Sequence, residues 1–207
     1  MNLSKLFETQ HALDERITKE KGLEGQDLLP MKILALQVEL GELANEWRGF
    51  KFWSEDRKPV TEVSTGICIF CGGTGNAFYD DDEAEWEDCS NCEGGETVKN
   101  PLLEEYVGCL HFILSIGLEL NCTPNKSSVS KIAVAFNGDK ITIQFRTIYR
   151  YVANLDWCNK ADKELYYSAV LSNFVGLGEM LGFTWEQIEQ AYYAKNQINH
   201  ERQATGY

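Results

Sequence analysis

The chain has 207 residues, an ordinary hydrophobic content of 43% and a formal net charge of −13. That length and apolar content suit one sizeable globular domain with room for an insertion. So acidic a balance argues against binding polymeric nucleic acid, which needs a basic face, but leaves open a small nucleotide held through a metal.

The N-terminus MNLSKLFETQ is amphipathic rather than an apolar run, so no signal peptide is expected. No uninterrupted apolar segment reaches membrane-spanning length either, and the expectation is a cytoplasmic protein that does not engage a membrane. Seven cysteines, four of them in two C-x-x-C pairs, then point to metal binding rather than disulfides.

Asn2 to Lys21 reads as a first helix, with Leu3, Leu6, Phe7, Gln10, Leu13, Asp14 and Ile17 at helical spacing. Gln10 is polar within that stripe and sits either at the core margin or against a ligand. Gly22 and Gly25 end the segment, and Asp27 is placed to cap the next helix. That second helix runs through Pro30, which the first turn tolerates, to about Arg48. It buries Leu36, Leu40, Leu43 and Trp47 and lines up Glu39, Glu42 and Glu46 on the other side. Crowded carboxylates repel unless a cation sits among them, and a hard divalent ion meets that need; the alternative is a solvated acidic face. The stretch Leu34–Ser54 therefore organises this reading of the chain. Phe50, Phe52 and Trp53 follow, either plugging a helix corner or flooring a site for a planar ligand.

Residues 60–99 read as an insertion rich in Cys, Gly, Asp and Glu. Cys68-x-x-Cys71 and Cys89-x-x-Cys92 supply four thiolates on glycine-rich turns, as tetrahedral zinc requires. Four protein ligands leave no open position, so the expected role of this Zn2+ is structural. Asp80 to Glu83 between the pairs argue against nucleic-acid binding.

Asn100-Pro101 opens a third helix ending near Asn121, with Tyr106, Cys109, Leu110, Ile113, Leu114 and Gly117 among its buried residues. Gly108 interrupts this helix at a cost of about 1 kcal/mol against alanine, so it allows close packing or stands where something else is absent. Asn137-Gly138 hints at a hairpin, but Ile141, Phe145, Ile148, Val152 and Leu155 favour a helix capped by Asp139. A further helix is expected over about 160–181, with Leu165, Ala169, Leu171, Phe174 and Leu177 apolar. Thr184-x-x-Gln187 is a capping box opening the last helix, with Ile188, Ala191, Tyr192 and Ile198 as its packing residues. Lys195, Asn199 and Arg202 share a face of that helix, suited to phosphate oxygens or to ordinary surface pairing.

Four stretches, VELGELANEWRGFKFWS, LLEEYVGCLHFILSIGLE, LGEMLGFTWEQIEQAYY and KNQINHERQATGY, together resemble the dimeric dUTPases, a family of the all-α nucleoside-triphosphate pyrophosphatases. The resemblance covers most of the chain apart from the cysteine-rich insertion and residues 123–138. It implies an all-α helical bundle formed by residues 1–59 and 100–207, with the zinc knuckle inserted at 60–99, and a homodimer with a site in each bundle. It also implies Mg2+-dependent hydrolysis of dUTP, and of dUDP, to dUMP.

The family signature is E-x-x-E on one helix and E-x-x-D on another, holding magnesium. Glu39 and Glu42 match the first half and Glu105 opens the second, which makes these three the expected metal-binding and catalytic residues, with Glu42 positioning water. Gly108 stands where the aspartate is due, so weakened metal binding and slow turnover are expected, with Glu104 as a partial substitute. The resemblance further assigns Gln10 and Trp53 to the base, His111 to the sugar, and Lys195, Asn199, Arg202 and Tyr207 to phosphate and sugar. Two other functions compete: a pyrophosphatase for another nucleotide such as dCTP, and a non-enzymatic scaffold that binds a partner protein through its zinc insertion.

Overall fold

The computed structural model describes residues 2–64, 76–77, 87–88, 98–122 and 141–205, and among them six helices carry the architecture. They are α1 (Leu3–Glu20), α2 (Leu29–Trp47), α3 (Pro101–Glu119), α4 (Ile141–Trp157), α5 (Lys160–Met180) and α6 (Trp185–Thr205). The fold is all-α, as the periodicity predicts.

Local signals set most of the boundaries. Asn2 caps α1 by accepting from Lys5 N, and Asn100 caps α3 by accepting from Leu103 N at 3.0 Å. Asp27 Oδ1 accepts the Leu29 N–H at the mouth of α2. Gly22 and Gly25 both adopt positive φ, which ends α1 and turns the chain back. The capping box ahead of α6 is closed in both directions: Thr184 N donates to Gln187 Oε1 at 2.9 Å, and Gln187 N to Thr184 Oγ1 at 3.3 Å. ITIQF is the start of a helix rather than a strand, and its proposed cap Asp139 lies outside the described residues.

The central element is α3 rather than the Leu34–Ser54 stretch. From Tyr106 to Gly117 every residue except Phe112 is buried, and α3 packs against α1, α2, α5 and α6. α4 bridges α2 and α5. A helix apolar all round is either a core helix or a membrane span. By length and composition α3 is apolar enough to cross a membrane, although Glu104, Glu105 and Glu119 interrupt it, and 67% of that window is buried within the protein. Its apolar surface is consumed by its four helical neighbours.

Two of the expected packing residues face out instead. Leu165 is 68% exposed and Ile198 is 47% exposed, because α5 and α6 bury narrower stripes centred on Tyr167, Phe174 and Tyr192. Among the described residues of the 60–99 region, two short antiparallel pairings occur. β1 (Val63–Ser64) pairs with β4 (Val98–Lys99) in the register Val63↔Lys99, and β2 (Asn76–Ala77) pairs with β3 (Glu87–Asp88). The first pairing draws the two ends of the segment together just ahead of α3. Cys68, Cys71, Cys89, Cys92 and Tyr207 lie outside the described residues.

Candidate active site

α1, α2, α3 and α6 enclose a cleft of about 480 Å³ whose walls include Gln10, Asp14, Glu39, Glu42, Glu105, Gly108, His111, Ser115, Lys195, Asn199 and Arg202. The helical spacing explains the convergence. Glu39 and Glu42 are one turn apart on α2, Glu105 and His111 lie on the facing side of α3, and Lys195, Asn199 and Arg202 follow one face of α6.

One carboxylate oxygen from each of Glu39, Glu42 and Glu105 lies within 4.8 Å of the others. Burial pushes the Glu39 carboxyl above its ordinary value, Lys195 opposes that shift, and Glu42 adds to it. Glu105 is raised in the same way, first by burial and then by its acidic neighbours Glu39, Glu42 and Glu104, again against Lys195. Glu39 Oε2 is buried with no hydrogen-bond partner among the described residues. Three hard carboxylate donors, together with an orphaned buried oxygen on Glu39, fit a magnesium-like cation. The expected substitute, Glu104, is not part of the cluster: its carboxylate lies 3.9 Å from Lys99 Nζ, and its backbone carbonyl accepts a 3.0 Å bond from Lys195 Nζ. Glu46 lies outside the cleft, on an open depression shared with Glu42 and Glu105.

The cleft floor is a polar network that the sequence reading saw only in part. Gln10 Nε2 donates to Asp14 Oδ1 at 2.7 Å, and Ser115 Oγ donates to Asp14 Oδ2 at 2.5 Å. Gln10 Oε1 therefore faces the other way, where it meets His111 Nδ1 at 2.7 Å and accepts from Tyr192 OH at 2.8 Å. An amide oxygen cannot donate, so His111 Nδ1 carries the proton and Nε2 holds the lone pair. Burial, then the positive charge of Lys195, lowers the His111 pKa to about 3, so the ring is neutral. Its Nε2 is buried and has no partner among the described residues. The ring stacks on Tyr192 with centroids 4.2 Å apart, which fixes its plane.

Gln10 is thus 3% exposed and engaged at both ends of its amide. Asp14 lies on the inner stripe of α1, and nothing local to it signals a role, because its partner Ser115 is 101 residues away. Trp53 is not among the residues lining the cleft. It is 65% exposed and meets Phe50 and Phe52 edge-on, so the three aromatics pack on one another and neither plug the core nor floor this cleft.

A family model described as dUTPase matches residues 2–65 and 92–207, leaving out 66–91 and including the 123–138 segment that the sequence resemblance did not cover. No curated protein matches the chain. A match over so much of the sequence, on an all-α fold with this cleft, makes the chain a member of the dimeric, all-α dUTPase family.

Proposed function

We propose that the chain hydrolyses dUTP to dUMP and pyrophosphate, and dUDP to dUMP and phosphate, in a magnesium-dependent reaction. The observation that carries this reading is the meeting of Glu39, Glu42 and Glu105 with Lys195 in one cleft. The three carboxylates would hold Mg2+, which when bound neutralises phosphate charge and polarises the phosphorus. Glu42, the exposed member of the three, orients the attacking water by accepting its hydrogen bond. Lys195, Asn199 and Arg202 take the phosphate oxygens, and Lys195 stabilises the charge that grows on the departing pyrophosphate. His111 Nε2 accepts from a sugar hydroxyl. Gln10 acts chiefly by holding His111, with its second amide N–H left for the base. Trp53 and Tyr207 enter this reading through the family resemblance alone.

The same reading includes a homodimer, a structural Zn2+ on Cys68, Cys71, Cys89 and Cys92, and a cytoplasmic setting. Pairing is supported by an exposed apolar stripe on α2, where Met31, Leu34 and Val38 are 58%, 62% and 53% exposed.

The test is pyrophosphate release from dUTP, dCTP, dTTP and UTP, each with and without magnesium. Preference for dUTP that depends on magnesium supports the proposal. Preference for dCTP replaces the substrate, and no release from any of the four favours the partner-binding scaffold.

A further inference from the structure

Gly108 sits in the middle of α3, buried, and its φ is not among the positive values that favour glycine. Backbone freedom therefore does not explain it, and in a helix interior alanine is the better residue. What the glycine supplies is space. A Cβ built at this position would overlap Glu39 Oε2, lie 3.2 Å from Glu39 Cδ and stand 2.9 Å from Lys195 Nζ. Those atoms are the tips of side chains from two other helices, α2 and α6. Lys195 Nζ is tethered there by the Glu104 carbonyl, one turn back along α3. Glu39 Oε2, although buried, keeps its lone pairs free of any partner among the described residues.

We propose that Gly108 is a positioning residue: its bare Cα is the seat on which the Glu39 carboxylate and the Lys195 ammonium meet, leaving a Glu39 oxygen open to a divalent cation. This rests on the reading of the carboxylate cluster as a metal site. It assigns the glycine a purpose that the family pattern alone does not, since that pattern makes it a missing ligand. Any side chain at 108, an aspartate included, displaces both tips. Because the displaced atoms are the ends of flexible side chains, the effect falls on cation binding and not on folding.

The experiment titrates Mn2+ into the full chain without nucleotide, read by electron paramagnetic resonance, with thermal melting of each variant alongside. Gly108→Ala should weaken Mn2+ binding by about tenfold or more, the range seen when groups that orient ligands are disturbed. Its melting temperature should stay level or rise. Gly108→Asp should bind Mn2+ no more tightly than the unmodified chain. In a Glu39→Asp background, whose shorter side chain withdraws from the seat, adding Gly108→Ala should change Mn2+ affinity little. Unchanged affinity in Gly108→Ala, or tighter binding in Gly108→Asp, overturns the role given to Gly108 while leaving the metal site standing. Should Gly108→Ala unfold, the steric cheapness argued above is wrong and the proposal falls with it. If the unmodified chain binds no Mn2+, the metal reading itself fails, and that outcome is distinct from the others.

Discussion

The Gln10 side-chain carbonyl meets His111 Nδ1 at 2.7 Å, while the Gln10 amide nitrogen is held by Asp14 at 2.7 Å. The amide can satisfy both only in one orientation, so a carboxylate on α1 sets the tautomer of a histidine on α3. Gln10→Glu breaks this chain of logic at one atom. The new carboxylate loses the donor to Asp14, faces that acid directly, and favours a protonated imidazole. The His111 pKa should rise from about 3, and 15N chemical shifts of the ring should show Nε2 gaining a proton. With that acceptor lost, kcat/KM for dUTP should fall by about tenfold to a hundredfold, the range of one to two pK units of interaction energy. An unchanged ring spectrum would sink the argument.

His111 also predicts how stability depends on acid. Its ordinary pKa of 6.5 applies to the unfolded chain, and the folded value is about 3. Between those values the unfolded state binds the proton and the folded state does not, so stability falls as pH drops through the window. The slope from this one group approaches about 1.4 kcal/mol per pH unit within the window and fades to nothing about one unit above 6.5. Urea unfolding at pH 7.5, 6.0 and 5.0 should show that extra slope in the unmodified chain and its loss in His111→Gln. Equal slopes would mean that the ring charges freely in the folded protein.

The helices were legible because their signals are local. Asn2, Asn100, the Thr184/Gln187 box and the three-four spacing of Phe145, Ile148, Val152 and Leu155 each act within one or two turns. Helical spacing also placed Glu39 beside Glu42, and Lys195 beside Asn199. What stayed hidden depends on which helices face each other. Asp14 and Ser115 look like any polar residues at a stripe margin until α1 and α3 pack. Asn196 continues the four-residue spacing of Ile188 and Tyr192 and is buried with them, but a polar side chain there gives no sign of what it would meet. Gly108 resembles a gap in a motif along the sequence. Only across helices does it appear as the place where α2 and α6 side chains meet.

Lys195 should tolerate no substitution, arginine included. Its ammonium donates to the Glu104 carbonyl at 3.0 Å and offsets the raised pKa of both Glu39 and Glu105. The seat beside Gly108 accommodates a compact point charge, whereas a guanidinium is a broad planar fork. Lys195→Met and Lys195→Arg should each lower kcat for dUTP by about a hundredfold or more, as loss of a preorganised group that stabilises developing charge does elsewhere. Steady-state pyrophosphate release measures this, and near-normal kcat in Lys195→Arg would show that charge alone suffices.

Glu39 carries opposite consequences for stability and for catalysis. Its carboxyl is half-buried, has an oxygen without a partner among the described residues and lies beside Glu42, so the ionised form is disfavoured in the metal-free protein. A carboxyl whose folded pKa is raised stabilises the fold least at neutral pH, where both states are ionised and the folded state bears the strain. Glu39→Gln keeps the shape and removes the charge. Screening by solvent limits the gain to about 1 kcal/mol, which for a chain of this size raises the melting temperature by about 2–4 °C without added metal. The same change removes a cation ligand, so magnesium should stabilise the unmodified chain against heat but leave Glu39→Gln nearly unaffected, and dUTP turnover should fall by at least about a hundredfold, the loss typical of a missing metal ligand or charge-stabilising group. Glu42→Gln, at an exposed position, should show the catalytic loss with little of the thermal gain. If Glu39→Gln instead melts earlier than the unmodified chain, the Glu39–Lys195 attraction outweighs the repulsion and desolvation at this carboxylate, and the cluster is held together by its own charges before any cation arrives.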